Sequence, residues 1–371
     1  MLDRFDDYPV HSGPDPVGHP PAGVRNAYDR YFFNGYTADG SLFFAVAMGL
    51  YPGRQVIDAA VSVVSAGTQR SVFASGRAPL ERGDTRVGPI SVEVVEPMRV
   101  HRVVVTGDHG IRAELTCTAR TPAVEEPRFT LRDGPHVVLD YTRLAQWSTW
   151  SGWLEVDGVR HDLADRDVLG CRDRSWGIRP VGERDAGAPG GPAQFFWLWA
   201  PINFPDRCTH FAVNEQADGR RWHASGRVVP ILGPGDDPVD RGVSTAMEAV
   251  DWAVDWAPGT RQARRAAITL VPPRAEPETI ALEPLLTFRM AGIGYTHPTW
   301  RHGTWHGEEA VGTDSWPVDG VDPLDPTMIH VQQLVRATAP DGAVGVGVLE
   351  QLVIGPHEAA GFRDLLDGAP G

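Results

Sequence analysis

The chain has 371 residues, with 34 basic and 48 acidic side chains and a formal charge of -14. That balance disfavours a polyanion partner, so no nucleic-acid binding is expected, and the length points to two domains rather than one. Every basic residue is an arginine, which excludes a lysine Schiff base, covalently held pyridoxal phosphate and a P-loop.

The N-terminal stretch "MLDRFDDYPVHSGPDP" has neither a basic segment nor an apolar one, and no run of about 18 apolar residues follows. A soluble, cytoplasmic protein without an integral membrane segment is expected. The next segments read as strands: "SLFFAVAMGLY" (41–51), "QVIDAAVSVV" (55–64), "ISVEVVEPMRVHRVVVTG" (90–107) and "IRAELTCTAR" (111–120) are rich in β-branched and aromatic residues. Turn signals at Ala38-Asp39-Gly40, Ser65-Ala66-Gly67, Gly107 to Gly110 and Asp157-Gly158 separate them. Such close spacing predicts hairpins, and hence an antiparallel sheet or barrel. Near the first hairpin, Asn34 and Tyr36 are candidates to point polar groups into a barrel mouth. The other reading makes Asn34 a turn residue alone.

In "DYTRLAQWSTWSGWLEV" (140–156), Trp147, Trp150 and Trp153 are spaced so that Trp150 faces opposite to the other two in an extended chain. They line a cavity or fill a core. The stretch "GCRDRSWGIRP" (170–180) sets Asp173 between Arg172 and Arg174, with Trp176 close by. Adjacent positive charge should lower the Asp173 pKa, leaving it a carboxylate that orients or stabilises charge, or that simply pairs with arginine. Residues 181–194 are rich in glycine, proline and alanine and read as a linker. The first domain is expected to span 1–184, the linker 185–194 and the second domain 195–371.

Strand-like segments with Gly-rich turns recur after the linker, and "STAMEAVDWAVDW" (244–256) fits either a helix or a strand. "GIGYTHPTWRHGTWHGEE" (292–309) concentrates Tyr295, His297, Trp300, His302, Trp305 and His306. If residues 302–306 are extended, His302 and His306 share a face, where they would hold a metal, transfer a proton or serve structure alone. Cys117, Cys171 and Cys208 are far apart and read as core thiols. No G-x-S-x-G, H-E-x-x-H or G-x-G-x-x-G motif is present.

Asp173-Arg174-Ser175-Trp176-Gly177 resembles the D-H-x-W-G signature of the two-domain lipocalin-like family of carotenoid 1,2-hydratase (hydroxyneurosporene synthase) and AttH-like proteins. "FWLWAPINFPD" (196–206) is similar to the start of that family's second barrel. "FFNGYTADG", "EEPRFTLRDG" and "GYTHPTWRHGTWHGE" look like landmarks of an uncharacterised actinobacterial-type branch, a similarity spanning most of residues 25–355. The resemblance implies an all-β chain of two consecutive antiparallel lipocalin-like β-barrels. It also implies a pocket for a hydrophobic small molecule and no cofactor. One departure matters: Arg174 stands where the family has histidine, and guanidinium does not release its proton.

The expected activity is that of a lyase or isomerase acting on a double bond of an isoprenoid- or polyketide-like molecule, by hydration, isomerisation or cyclisation. The alternative is a non-catalytic carrier. Asp173, His297, His302 and Tyr295 are the candidate catalytic residues. Asn34, Tyr36, Trp147, Trp150, Arg172, Trp176, Trp300 and Trp305 are the candidate ligand-binding residues. No metal site is assigned.

Overall fold

The structure is a computed structural model that describes residues 4–7, 10, 17–18, 24–163, 167–183 and 193–371. Most of the expected linker, residues 184–192, lies outside the described residues. The fold is all-β, with one nearly closed antiparallel barrel sheet and a second, ring-like sheet. Among the described residues, no helix is long and apolar enough to cross a membrane.

Two of the predicted hairpins close on residues suited to the task. Ala66 and Gly67 have φ of 49° and 76°, and Asp157 and Gly158 have φ of 51° and 79°. Paired positive φ values match the right-handed twist of the flanking strands. The strands Ala27–Thr37, Leu42–Tyr51, Val56–Ser65 and Thr68–Arg77 follow one another in the first sheet. On the other side of Ala27–Thr37 lie Val168–Ile178 and then the long strand His136–Val156. The segment at 244–256 is extended, with its main strand at Ala249–Trp256.

All ten residues of Leu42–Tyr51 are buried. The reason is a core on each face. Phe44, Val46 and Met48 join Phe33 and Trp150 inside the first barrel. Phe43, Ala45 and Ala47 join Phe32, Trp147, Trp197, Trp199 and Val348 in a core between the two sheets. A strand covered on both faces reads as an unbroken apolar run, as "LFFAVAMGLY" does.

The second sheet has Phe195–Trp199, Val344–Ile354, Val331–Thr338 and Glu278–Arg289 at its centre. One strand of the second half does not join it. Glu309–Pro317 pairs antiparallel with Thr68–Arg77 and forms the edge of the first sheet. The segment 290–308 therefore crosses from one sheet to the other. It is a short 3-10 turn and a loop, not the extended strand expected at 302–306, because Gly294 and Gly303 take φ of 90° and 72° and turn the backbone.

Trp300 anchors this loop by stacking on Phe73 with ring centroids 5.8 Å apart. It lies directly over Gly312, where a Cβ would come within 2.2 Å of the indole. Gly312→Val should displace Trp300 and destabilise the protein by about 1–3 kcal/mol, the usual cost of overpacking. Urea denaturation read by tryptophan fluorescence checks this; an unchanged midpoint would show that the indole does not hold the loop.

Candidate active site between the sheets

Strand alternation decides which side chains meet. Along Val168–Ile178, Cys171 and Asp173 face the second sheet, whereas Arg172, Arg174 and Trp176 face the interior of the first barrel. Register places Phe32 and Ala145 beside Asp173, Arg30 and Arg143 beside Ser175, and Tyr28 and Tyr141 beside Gly177. On this face Asp173 thus has one arginine from each flanking strand at a diagonal. The second sheet presents the row Trp199, Glu350 and Gln332 from three adjacent strands.

The two facing acids are held differently. Glu350 accepts hydrogen bonds from His330 Nε2 (2.8 Å), Gln332 Nε2 (2.7 Å) and Trp197 Nε1 (3.1 Å). Burial alone would raise its pKa, but these donors and the Arg143 charge outweigh burial and hold it below the ordinary value. Asp173 has no hydrogen bond or ion pair among the described residues and lies in the same inter-sheet space. Burial dominates there, and with Glu350 and Glu126 nearby it outweighs Arg143 and Arg30, pushing the carboxyl up to about 6. This reverses the lowered pKa expected from sequence, because Arg172 and Arg174 lie on the opposite face of the strand.

Arg143 itself is committed. It grips Glu126 through two hydrogen bonds of 2.6 Å and lies over the rings of Phe129, Trp197 and Trp199. His210 adds a contact to Glu126 at 3.4 Å. Asn34 braces the site: its amide donates to Gln332 Oε1 at 3.0 Å and its carbonyl accepts from the Cys171 amide at 2.8 Å.

Tyr295 and His302 also reach this space. The Tyr295 ring lies 4.3 Å from the His302 ring, 4.8 Å from that of His330 and 4.9 Å from the Arg30 guanidinium. His302 Nδ1 accepts from Arg30 and faces Arg179 at 3.4 Å, while Nε2 donates to the Ile293 carbonyl at 2.9 Å. Burial and the two guanidiniums drive its pKa well below the ordinary value. It is neutral, and its single ring proton is already in use.

The other expected residues are placed elsewhere. His297 Nδ1 accepts from the amides of Thr299 and Trp300, and its Nε2 faces Asp314 at 3.3 Å, so it fixes the loop. Its neighbours are Phe73 and Asp314, not Asp173. Among the described residues no three His, Cys, Asp or Glu side chains converge as metal ligands. Tyr36 accepts from Asn203, Trp147 is wholly buried in the inter-sheet core, and Trp150 donates to the Asn34 carbonyl within the first barrel. Arg172 donates to Gln146 at 2.8 Å, and Trp305, on the surface, meets Arg77.

The pairing of Asp173 with Arg172 or Arg174 that the sequence offered does not form. Arg174 pairs with Asp29 and lies 4.1 Å from the Tyr31 ring. Trp176 is 43% exposed and, with Tyr31, Leu50 and Val92, lines a cavity of about 920 Å³ at the mouth of the first barrel. Sequence reading missed Arg30, Arg143, His330 and Glu350. The available signal was a lone charge inside an apolar strand, as in "GVLEQLVIG".

The sequence matches the profile of a family of unknown function, DUF8625, over residues 2–363. The chain belongs to that family. No curated protein sequence matches it. Among solved structures, an AttH-like protein from Nitrosomonas europaea is 15% identical, with 90% of this chain and 94% of that chain covered and a TM-score of 0.53. Kievitone hydratase from Nectria haematococca is 12% identical, with 95% of each chain covered and a TM-score of 0.50. At these identities the shared property is the two-sheet fold.

The Asp173 environment carries a stability signature. Its carboxyl ionises near 6 in the fold and near 3.8 ordinarily, so the unfolded chain releases this proton first. Stability is therefore lost as pH rises from about 4 to about 6, and stays lower above that. Asp173→Asn removes this loss. Thermal unfolding should show the variant gaining on the parent between pH 4.5 and pH 7.5; an unchanged gap would mean that Asp173 is well solvated.

Proposed function

We propose that this protein is an enzyme that acts on a double bond of a hydrophobic small molecule, by hydration, isomerisation or cyclisation, in the space between the two sheets. One observation carries the reading. Asp173, unpaired and with its pKa pushed up to about 6, faces Glu350, which is fully hydrogen-bonded and held ionised. Two carboxyls with pKa values driven apart by their surroundings form an acid and a base at one site. Asp173 then supplies the proton and Glu350, oriented by His330 and Gln332, accepts one.

The setting supports this reading. Tyr141, Leu169, Leu352 and Trp197 border the inter-sheet core and offer apolar surface to a substrate. Every proton movement is assigned to side chains of the chain itself, so the reading needs no cofactor. The name of the kievitone hydratase neighbour fits the same chemistry. His297 and His302, whose ring nitrogens are engaged in the loop, serve as positioning groups in this scheme.

A second reading, a carrier of an apolar ligand, is favoured by the cavity of about 920 Å³ lined by Tyr31, Leu50, Val92 and Trp176. The two readings separate by experiment. Incubation with a panel of apolar alkenes and polyenes, followed by mass and isomer analysis, should reveal turnover that declines as pH rises through about 6. Asp173→Asn and Glu350→Gln should each lower kcat roughly 10²–10⁴-fold while ligand affinity survives. A ligand that co-purifies unchanged and is never transformed would leave the carrier reading instead.

A further inference from the structure

Arg179 follows the Asp173 strand and comes to rest between two aromatic rings. Its guanidinium lies 4.3 Å from the Tyr28 ring centroid and 5.7 Å from that of Tyr295. It meets no carboxylate among the described residues. Its hydrogen-bond partners among the described residues are the Tyr295 side chain and His302 Nδ1, the latter at 3.4 Å and shared with Arg30. Arg30 is 1% exposed and also lacks a carboxylate partner: one of its terminal nitrogens donates to the Ile293 carbonyl at 3.1 Å, and its Nε is buried with no partner.

The acid within electrostatic range of both arginines is Asp58. Its oxygens accept from the Gly303 amide at 2.6 Å and the Tyr51 hydroxyl at 3.1 Å, and burial pushes its pKa up. It is bonded to neither guanidinium. His302 is neutral and contributes no charge. Arg30 is buried and Arg179 half-buried, and neither has a carboxylate bonded to it among the described residues, so a ligand that brings negative charge is favoured there. His302 and Tyr295 engage part of the Arg179 edge, and a guanidinium carries five N–H donors, which leaves donors for such a ligand.

This site adjoins the facing carboxyls. Tyr28 lies within electrostatic range of Arg179, Tyr295 and Asp173 together, and Arg30 acts on Asp173. An unactivated alkene protonated by Asp173 would form a carbocation beside two guanidiniums, which repel it. A double bond conjugated to a carbonyl instead places negative charge on oxygen, which the guanidiniums attract.

We propose that Arg179, backed by Arg30, seats the carbonyl oxygen of the substrate, and that the substrate is a conjugated carbonyl compound on an apolar skeleton. The inference rests on the double-bond reading above and narrows its substrate class. For hydration, the oxygen of water bonds to the β-carbon while the π electrons shift to give an enolate at Arg179. Glu350 takes the proton that water loses. Asp173 gives its proton to the α-carbon as the carbonyl re-forms, and proton exchange between the two carboxyls through water restores the starting state. Nothing is oxidised or reduced.

Binding and turnover test this separately. Retinoic acid and retinol differ only in the terminal group, and their affinities are measured by tryptophan quenching. The parent protein should favour the acid by about tenfold or more. Arg179→Gln should abolish that preference, and Asp173→Asn should keep it. Arg179→Lys, which keeps the charge but loses the planar fork, should reduce it, and gives the readout if Arg179→Gln does not fold. Equal affinities in the parent, or a preference unchanged in both Arg179 variants, overturns the seat.

In the turnover arm, conjugated enones are paired with unconjugated polyenes. Turnover of enones alone supports the inference. Turnover of unconjugated polyenes alone overturns it while leaving the enzyme reading intact. Arg179-dependent acid preference with no turnover of either class overturns the enzyme reading and keeps the seat.

Discussion

The first sheet is a wall with a hydrophobic core on each side, and this constraint governs the rest of the structure. A strand buried on one face alone can place any polar residue on the other, where water takes it up. Ala27–Thr37 and Val168–Ile178 have little such freedom, since even and odd positions both point into protein over most of their length. Every charged side chain on these strands must find a partner inside or remain unsatisfied. Arg174 finds Asp29, and Arg143 on the adjoining strand finds Glu126. Among the described residues Asp173, Arg30, Arg172 and Arg179 do not find oppositely charged partners, and all but Arg172 belong to the candidate site.

The electrostatics of the inter-sheet space follow from which donors each acid receives, more than from how deep it lies. Glu126 and Glu350 are buried and Asp173 is half-buried at the same core, and desolvation is the largest influence on each. Glu126 has a bidentate arginine, Glu350 has an imidazole, an amide and an indole, and Asp173 has none of these. One carboxyl is thereby locked in an ion pair, one is fixed as a hydrogen-bonded carboxylate, and one is left able to exchange its proton near neutrality. The fold obtains three different acids from one environment by allocating hydrogen bonds.

Much of the architecture was legible in the sequence because its causes are local. Gly67 and Gly158 mark hairpins, and the unbroken run at 42–51 marks a strand with two buried faces. The site was less legible because its causes are not local. Arg172, Asp173 and Arg174 are adjacent in the chain, yet alternation sends the acid to the opposite side of the sheet, so the nearest charges in sequence are not the nearest in space. Glu350 comes within electrostatic range of Asp173 only through packing of two sheets, which no short pattern encodes. The extended conformation considered for 302–306 is not adopted for the same reason: Trp300 over Gly312 and His302 against Arg30 fix the loop from outside. Tyr295 and His302 were found because histidine and tyrosine stand out in composition, whereas arginines in a chain with no other basic residue do not.

The pairing of Glu309–Pro317 with Thr68–Arg77 has a consequence for biosynthesis. A nascent chain emerges from its N-terminus, and the strands from Ala27 to Arg77 are available early, yet their outer edge has no partner until residue 317 has left the ribosome. Until then Thr68–Arg77 presents an open row of backbone donors and acceptors, the feature that templates intermolecular pairing. Closing it is a contact between distant parts of the chain, which is slow to form. The loop that carries Tyr295 and His302 to the site is thus also the strap that seals the first sheet. One segment, 290–317, thus brings two residues of the candidate site and the partner that shields the first sheet from neighbouring molecules.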